Sequence, residues 1–221
     1  MNENRYNIFN QIHKALRARL YATAGDIQQT DFAEDNAGAT IDKVLQVVDL
    51  FDDHARHEDT HLLPLLNSVD AKMVADFEEE HVEDHRLSNA LRQHAAAWRS
   101  AATAQEKAAQ GKALFYAFNA FIAFNLYHMN KEEDALLQTL WQHYTDADLL
   151  AVQKNIINSI PPEVMMAESR WMLRSLSNSE IIQWLKGVQL TAPPPAVAAL
   201  TAMAQQELSS ERWEVVAVAV A

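Results

Sequence analysis

Two short runs each place a histidine and a glutamate one helical turn apart: His54-Ala55-Arg56-His57-Glu58 and His128-Met129-Asn130-Lys131-Glu132. A third run, His81-Val82-Glu83-Asp84-His85, spaces two histidines by the same four residues, and His13 stands alone after Ile12. Imidazole suits iron, copper, zinc and nickel, and a carboxylate can bridge two cations. The first run also contains His57-Glu58-Asp59-Thr60-His61. That is the H-E-x-x-H spacing, with which two imidazoles on one helix face grip zinc while the glutamate serves as base. Both readings need Glu58, so the direction in which each side chain points has to separate them.

A helix advances about 100° per residue. With His54 at zero, Val47 and Leu65 fall at about 20°, Glu58 at about 40°, Phe51 at about 60° and Leu62 at about 80°. His61 falls at about −20° and His57 at about −60°. The apolar stripe therefore surrounds His54 and Glu58, with His61 on the same face and His57 at its margin. With His128 at zero, Phe121 lies at about 20°, Phe124 at about −40° and Glu132 at about 40°, whereas Glu133 swings to about 140°. The angle count thus selects Glu132. His81 and His85 share a face with Val74, Phe77 and Ser88, and His13 lies one turn from Phe9 and from Leu16.

A histidine and a glutamate inside a buried stripe are destabilising unless paired or bound to something. Five imidazoles (His13, His54, His81, His85, His128) and two carboxylates (Glu58, Glu132) are more than one tetrahedral zinc takes. They suit two iron ions, with one coordination position open once an oxygen atom bridges the metals. The zinc-hydrolase pattern leaves His13, His128 and Glu132 without a role. His57 and His61 are read as partly exposed residues or as groups that support the ligands, and His94 and His143 as surface residues.

Four long helices must position these groups. Ile8, Phe9, Ile12, Leu16 and Leu20 mark the first, from Tyr6 to Thr23. A polar loop with Gly25 and Gly38 follows. The second helix runs from an N-cap at Thr40 to Leu63, with Pro64 as stop, and the third from a cap at Asp70 to Arg99. The fourth starts at the capping box Thr103-x-x-Glu106 and reaches His143. Short links make neighbours antiparallel, so residues 1–144 are expected to form an up-down four-helix bundle. Residues 145–221 are expected to form a helical extension of three or four short helices. Pro161-Pro162 opens one helix; Ser177-x-x-Glu180 caps another, with Gly187 as its stop. The final SSERWEVVAVAVA is read as helix, and Trp171, Trp184 and Trp213 as core anchors.

The 221 residues are 49% hydrophobic with only four glycines, which favours long helices over many turns. The net charge of −12 repels nucleic acid and anionic membranes. There is no cysteine, which excludes disulfides, thiolate zinc sites, Cys-ligated iron–sulfur clusters and Cys nucleophiles. No N-terminal segment resembles a signal peptide and no apolar run is long enough to span a bilayer, so a cytoplasmic protein is expected.

The segments IHKALR, HARHEDTHLLP, EEHVEDH and LYHMNKEE resemble the hemerythrin-like, or HHE cation-binding, family, over the stretch from Tyr6 to His143. The resemblance implies a four-helix bundle around two non-heme iron ions joined by an oxo or hydroxo bridge, which bind dioxygen or, in some members, nitric oxide. It implies His13 and His54 on one iron, His81, His85 and His128 on the other, and Glu58 and Glu132 as bridges. The four-residue His–Glu spacing is that of the HHE branch.

The expected function is oxygen binding, storage or sensing, or a response to nitric oxide or redox stress, with a binding protein favoured over an enzyme. Two alternatives stand beside it. One is a di-iron oxidase or peroxidase; the other is a zinc metalloprotease acting through His57-Glu58-x-x-His61. A ferritin-like site would need two Glu-x-x-His pairs, and only Glu78-x-x-His81 fits clearly. The expected partners are a small diatomic and, through the C-terminal segment, another protein or a second copy of the chain.

Overall fold

The computed structural model describes residues 5–220, and among these it is helical throughout, without a strand. The described residues form two compact units. One is drawn from residues 5–8 and Arg19–Ile156, the other from Phe9–Ala18 and residues 157–220.

The first unit is built on α1 (Asn10–Gln29, of which its latter part belongs here), α2 (Gly38–His61), the single turn α3 (Leu63–Leu66), α4 (Ala71–Ser100) and α5 (Ala104–Lys131). A π-helical turn, Glu132–Leu136, joins α5 to α6 (Leu137–His143), and α7 (Asp146–Ser159) follows. Helix α4 packs against both α5 and α2. Ile41, Val44, Phe51, Phe77, Phe118 and Phe121 are among the side chains fully enclosed between them. Two expected caps are present. Asp70 Oδ1 accepts from the Met73 amide at 2.9 Å, and Thr103 and Glu106 form the reciprocal capping box. Each such cap stabilises its helix by about 1 kcal/mol.

Helix α1 runs past Thr23 and Gly25, which were expected to end it. Thr23 and Ile27 continue the buried stripe beyond Leu20, and the Thr30 hydroxyl bonds to the Asp26 carbonyl at the end. Helix α2 begins at Gly38, not Thr40, because the 3-10 turn Asp35–Ala37 leads straight into it. Thr40 instead meets the Thr30 hydroxyl at 2.7 Å. Here the loop crosses α5 so closely that a Cβ at Gly111 would overlap Phe32. Trp98 Nε1 donates to the Phe32 carbonyl at 2.9 Å and holds that loop in place.

The fourth long helix is not continuous α-helix to His143. Counted from Phe121, an unbroken α-helix would turn Leu137 about 160° and Leu140 about 100° away from the interior. The π-helical turn inserts a residue and returns both to the core, where they are buried. Such turns recur where a helix carries a functional group, and this one begins at Glu132.

In the second unit, α8 (Pro162–Ser175), α9 (Asn178–Thr191), α10 (Pro194–Glu207) and α11 (Ser210–Val220) enclose Leu173, Ile181, Leu185, Ala204 and Val216 together with Ala15. Glu180 closes the capping box with Ser177 and accepts from Asn10 at 2.9 Å and Lys14 at 2.5 Å. Helix α9 continues through Gly187 to Thr191. Trp171, Trp184 and Trp213 pack against this core, partly buried. Among the described residues no helix is long and apolar enough to cross a membrane.

Candidate metal centre

Helix α2 carries His54 and Glu58 one turn apart, with His54 Nε2 3.1 Å from a Glu58 oxygen. Helix α5 repeats the arrangement where it meets the π-helical turn: His128 Nε2 lies 3.1 Å from Glu132 Oε1. From α4, His81 Nε2 reaches to 3.5 Å from the other Glu58 oxygen and 3.2 Å from His128 Nε2. The donor atoms of Glu58, His81, His128 and Glu132 all lie within 4.8 Å of one another, and so do those of His54, Glu58 and Glu132. Both glutamates thus belong to two overlapping groups, and Glu58, His81, His128 and Glu132 are all buried.

The far side of two imidazoles is held by carboxylates. Asp59 Oδ1 is 2.6 Å from His81 Nδ1, and Glu80 Oε2 is 2.8 Å from His128 Nδ1. Lys131 pairs with the other Glu80 oxygen and lies 4.6 Å over the Phe77 ring. A carboxylate on Nδ1 fixes the ring and its tautomer, so that Nε2 is the atom offered inward. Phe77 and Phe124 flank the His128 ring edge-on and face-on, at 5.7 and 6.0 Å.

Electrostatics reflect two glutamates turned toward three imidazoles. Burial alone would lower the His81 pKa, but its bonds to Asp59 and Glu58 overcome this and hold it at about 9. Burial likewise opposes charge on His128, yet the charge of Glu132 and bonds to Glu132 and Glu80 raise it to about 11. Glu80 is driven down to about 2: burial would raise it, and the bonds to His128 and Lys131 prevail. This is a pocket of excess negative field lined with nitrogen and oxygen donors. Its donor set fits borderline cations such as iron.

Five of the seven expected ligands, His54, Glu58, His81, His128 and Glu132, come together here. Glu133, one residue on, is only partly buried. His13 is fully buried on α1, its ring stacked on Phe9 at 5.0 Å, in the segment that belongs to the second unit. His85 does not reach the centre. It is 49% exposed and its Nδ1 meets Asp52 at 2.9 Å. Relative to His81, the buried Val74, Phe77, Asp84, Ser88 and Leu91 cover an arc from about 20° to about −80°, and His85, at about 40°, falls outside it. Asp84 occupies the interior instead, accepting from Asn125 Nδ2 at 2.7 Å, with its pKa raised by burial.

His57 and His61 are half-buried at the edge of α2, their rings 6.5 Å apart. Burial lowers the His57 pKa. Glu58 is directed to His54 and His81, which is not the disposition of a base serving a zinc ion between His57 and His61. Asp59, Glu80, Asp84 and Asn125 were given no part in the di-metal site from sequence. Asp59 and Glu80 each adjoin a ligand candidate in the chain, Glu58 and His81, but Glu80 lies in the acidic run DFEEEHVED, which reads equally well as a solvated face.

Residues 4–140 match the family model of the hemerythrin HHE cation-binding domain. Neither the curated proteins nor the solved structures gave a match. Together with a His/Glu cluster able to hold a metal, the match over more than half of its length means that this chain belongs to the hemerythrin HHE cation-binding domain family.

Proposed function

We propose that this protein holds two non-heme iron ions and binds dioxygen or a similar diatomic there, for storage, sensing or redox-stress response. The observation that carries the proposal is the sharing of Glu58 and Glu132 between two overlapping donor groups, the pattern two bridged cations require. In this reading His54 serves one ion and His81 and His128 the other. His13 completes the first set, as the family resemblance implies, and His85 stays with Asp52. Two ferrous ions would supply the electrons that a diatomic draws on when it binds. The chain's own part is to orient and to exclude. Asp59 and Glu80 fix the two imidazoles, and Phe77 and Phe124 beside His128 keep water from that side of the centre.

The test is metal content together with the absorption spectrum of the reduced protein before and after exposure to air. Two irons per chain and near-ultraviolet bands that appear with oxygen and fade on its removal are expected. A single zinc, lost on replacing His57 or His61, would refute the proposal, and steady consumption of a reductant would make the protein an enzyme.

A further inference from the structure

Helix α5 has a second face that its own bundle does not use. From Ala113 to Asn130 it contains no Asp, Glu, Lys or Arg, in a chain of net charge −12. Tyr116 and Tyr127 stand 61% and 82% exposed, and Asn119, Ala120 and Ala123 between them are exposed as well. Tyr116, Ala120, Ala123 and Tyr127 follow one another at steps of four, three and four. That is the repeat of about 3.5 residues with which one helix lies along another. The inner seam of α5 is separate: Leu114, Phe118, Phe121, Asn125 and His128 are buried.

The outer seam also reads the same from either end. About the midpoint between Phe121 and Ile122, Tyr116 mirrors Tyr127 and Ala120 mirrors Ala123. In a two-fold contact, residue i of one copy meets j of the other while j meets i. An antiparallel pair of identical helices fulfils this with the mirrored positions facing each other. Two alanines at the centre allow the axes to close to the short end of the usual range of about 8–10 Å. The tyrosines, about 16 Å apart along the helix, then meet in two pairs that flank the alanines, and aromatic rings are favoured at the cores of such contacts. Charge selects the same occupant. Two acidic chains repel where their acidic surfaces meet, and between Ala113 and Asn130 this face brings no ionised group to the contact; Lys112 and Lys131 stand one turn beyond the tyrosines.

We propose that this chain forms a two-fold dimer in which α5 packs antiparallel on α5 of a second copy, Ala120 against Ala123 and Tyr116 against Tyr127. Tyr127 immediately precedes His128, so the contact and the candidate metal centre occupy different faces of one helical turn.

The absence of cysteine makes the register directly testable. Tyr116→Cys and Tyr127→Cys chains, mixed and oxidised, give a crosslinked dimer. Neither does so alone, because like positions are about 16 Å apart, beyond disulfide reach. In sedimentation the unaltered chain is a dimer at micromolar concentration. Ala120→Glu, with helicity by circular dichroism unchanged, weakens it about a hundredfold or more. Mixing Ala120→Glu with Ala123→Lys restores a mixed dimer, because these two positions face each other. A monomer at every concentration overturns the proposal. So does a dimer insensitive to Ala120→Glu, which would place the contact elsewhere, such as on the exposed Leu190 and Val218. Efficient crosslinking of either cysteine chain alone would do the same, since it requires parallel helices.

Discussion

Loading the centre with metal should release protons, and the number follows from its geometry. Without a cation, His81 and His128 turn Nε2 toward oxygens of Glu58 and Glu132, at 3.5 and 3.1 Å. The two glutamates and the outer carboxylates keep both imidazoles protonated at neutral pH, with pKa values at about 9 and about 11. A cation takes the same lone pairs, so both protons must leave. Between pH 7 and 9 the apparent affinity should therefore rise about a hundredfold per pH unit, or about 2.7 kcal/mol at 1.36 kcal/mol per proton per unit. Above pH 9 the slope should halve, because His81 has already lost its proton. Competition against a coloured chelator at a series of pH values gives the slope. Calorimetry in two buffers of different ionisation enthalpy counts the protons independently. A slope below one, or heats indifferent to the buffer, would refute the protonated pair and with it the description of the centre as a field that either two protons or a metal must neutralise.

The metal-free protein should lose stability over the same range. Both histidines have folded pKa values above the ordinary 6.5, so their contribution is fully present below pH 6.5 and is lost as pH rises through about 9 and about 11. Thermal unfolding followed by circular dichroism should show the melting temperature falling from pH 7 to 9 in the metal-free form. Replacing Glu80 by Gln or Asp59 by Asn removes the negative charge behind a ligand imidazole, and metal affinity measured by competition should drop about 10- to 100-fold in each. His85→Ala should leave the metal content unchanged, whereas His13→Ala should lower it, by elemental analysis of the purified proteins. Gly111→Ala should destabilise the fold by about 1–3 kcal/mol in urea titration. Alanine ordinarily improves a helix by about 1 kcal/mol, but here its Cβ would strike Phe32.

Much of the centre was legible because a spacing of four is informative on a helix whose apolar stripe is clear. His54 and Glu58 fall within or beside the buried arc of α2, and His128 and Glu132 within that of α5, so four residues follow from an angle count alone. Helix α4 misled because its interior admits polar residues. Asp84 and Ser88 are buried there, and an aspartate on the inner face is not what hydropathy suggests. The stripe was therefore centred too close to His85, when its true centre lies nearer Phe77 and Asp84. Asn125 gives the reason Asp84 is tolerated, and that partner is 41 residues away in the chain. The π-helical turn was equally hidden. Leu136, Leu137 and Leu140 are consistent with a helix, and only their common burial shows that a residue has been inserted. The C-terminal helices were legible from their prolines and from the Ser177 capping box. Gly187 was not a stop, since glycine inside a helix costs only about 1 kcal/mol and Val188 beyond it still packs on the core.

The charges around the centre bear on which cations it would hold. Glu58 and Glu132 face inward and Asp59 and Glu80 lie one imidazole farther out, so four carboxylates surround the donor nitrogens. Buried charge is tolerated only when it is compensated at close range. Of the four, Glu58 and Glu132 are buried, whereas Asp59 is exposed and Glu80 is paired with Lys131, so the inner pair is the part that needs cations at close range. Lys131 meets Glu80 from the solvent side and weakens its share of the field without entering the centre. Asp84, the remaining buried acid nearby, is pushed by burial toward its neutral form and adds little negative charge. The proposed stoichiometry of two therefore rests on the number of donors and on the sharing of Glu58 and Glu132 between two groups, not on charge. An oxidised pair, carrying still more positive charge, would require an anionic ligand of its own.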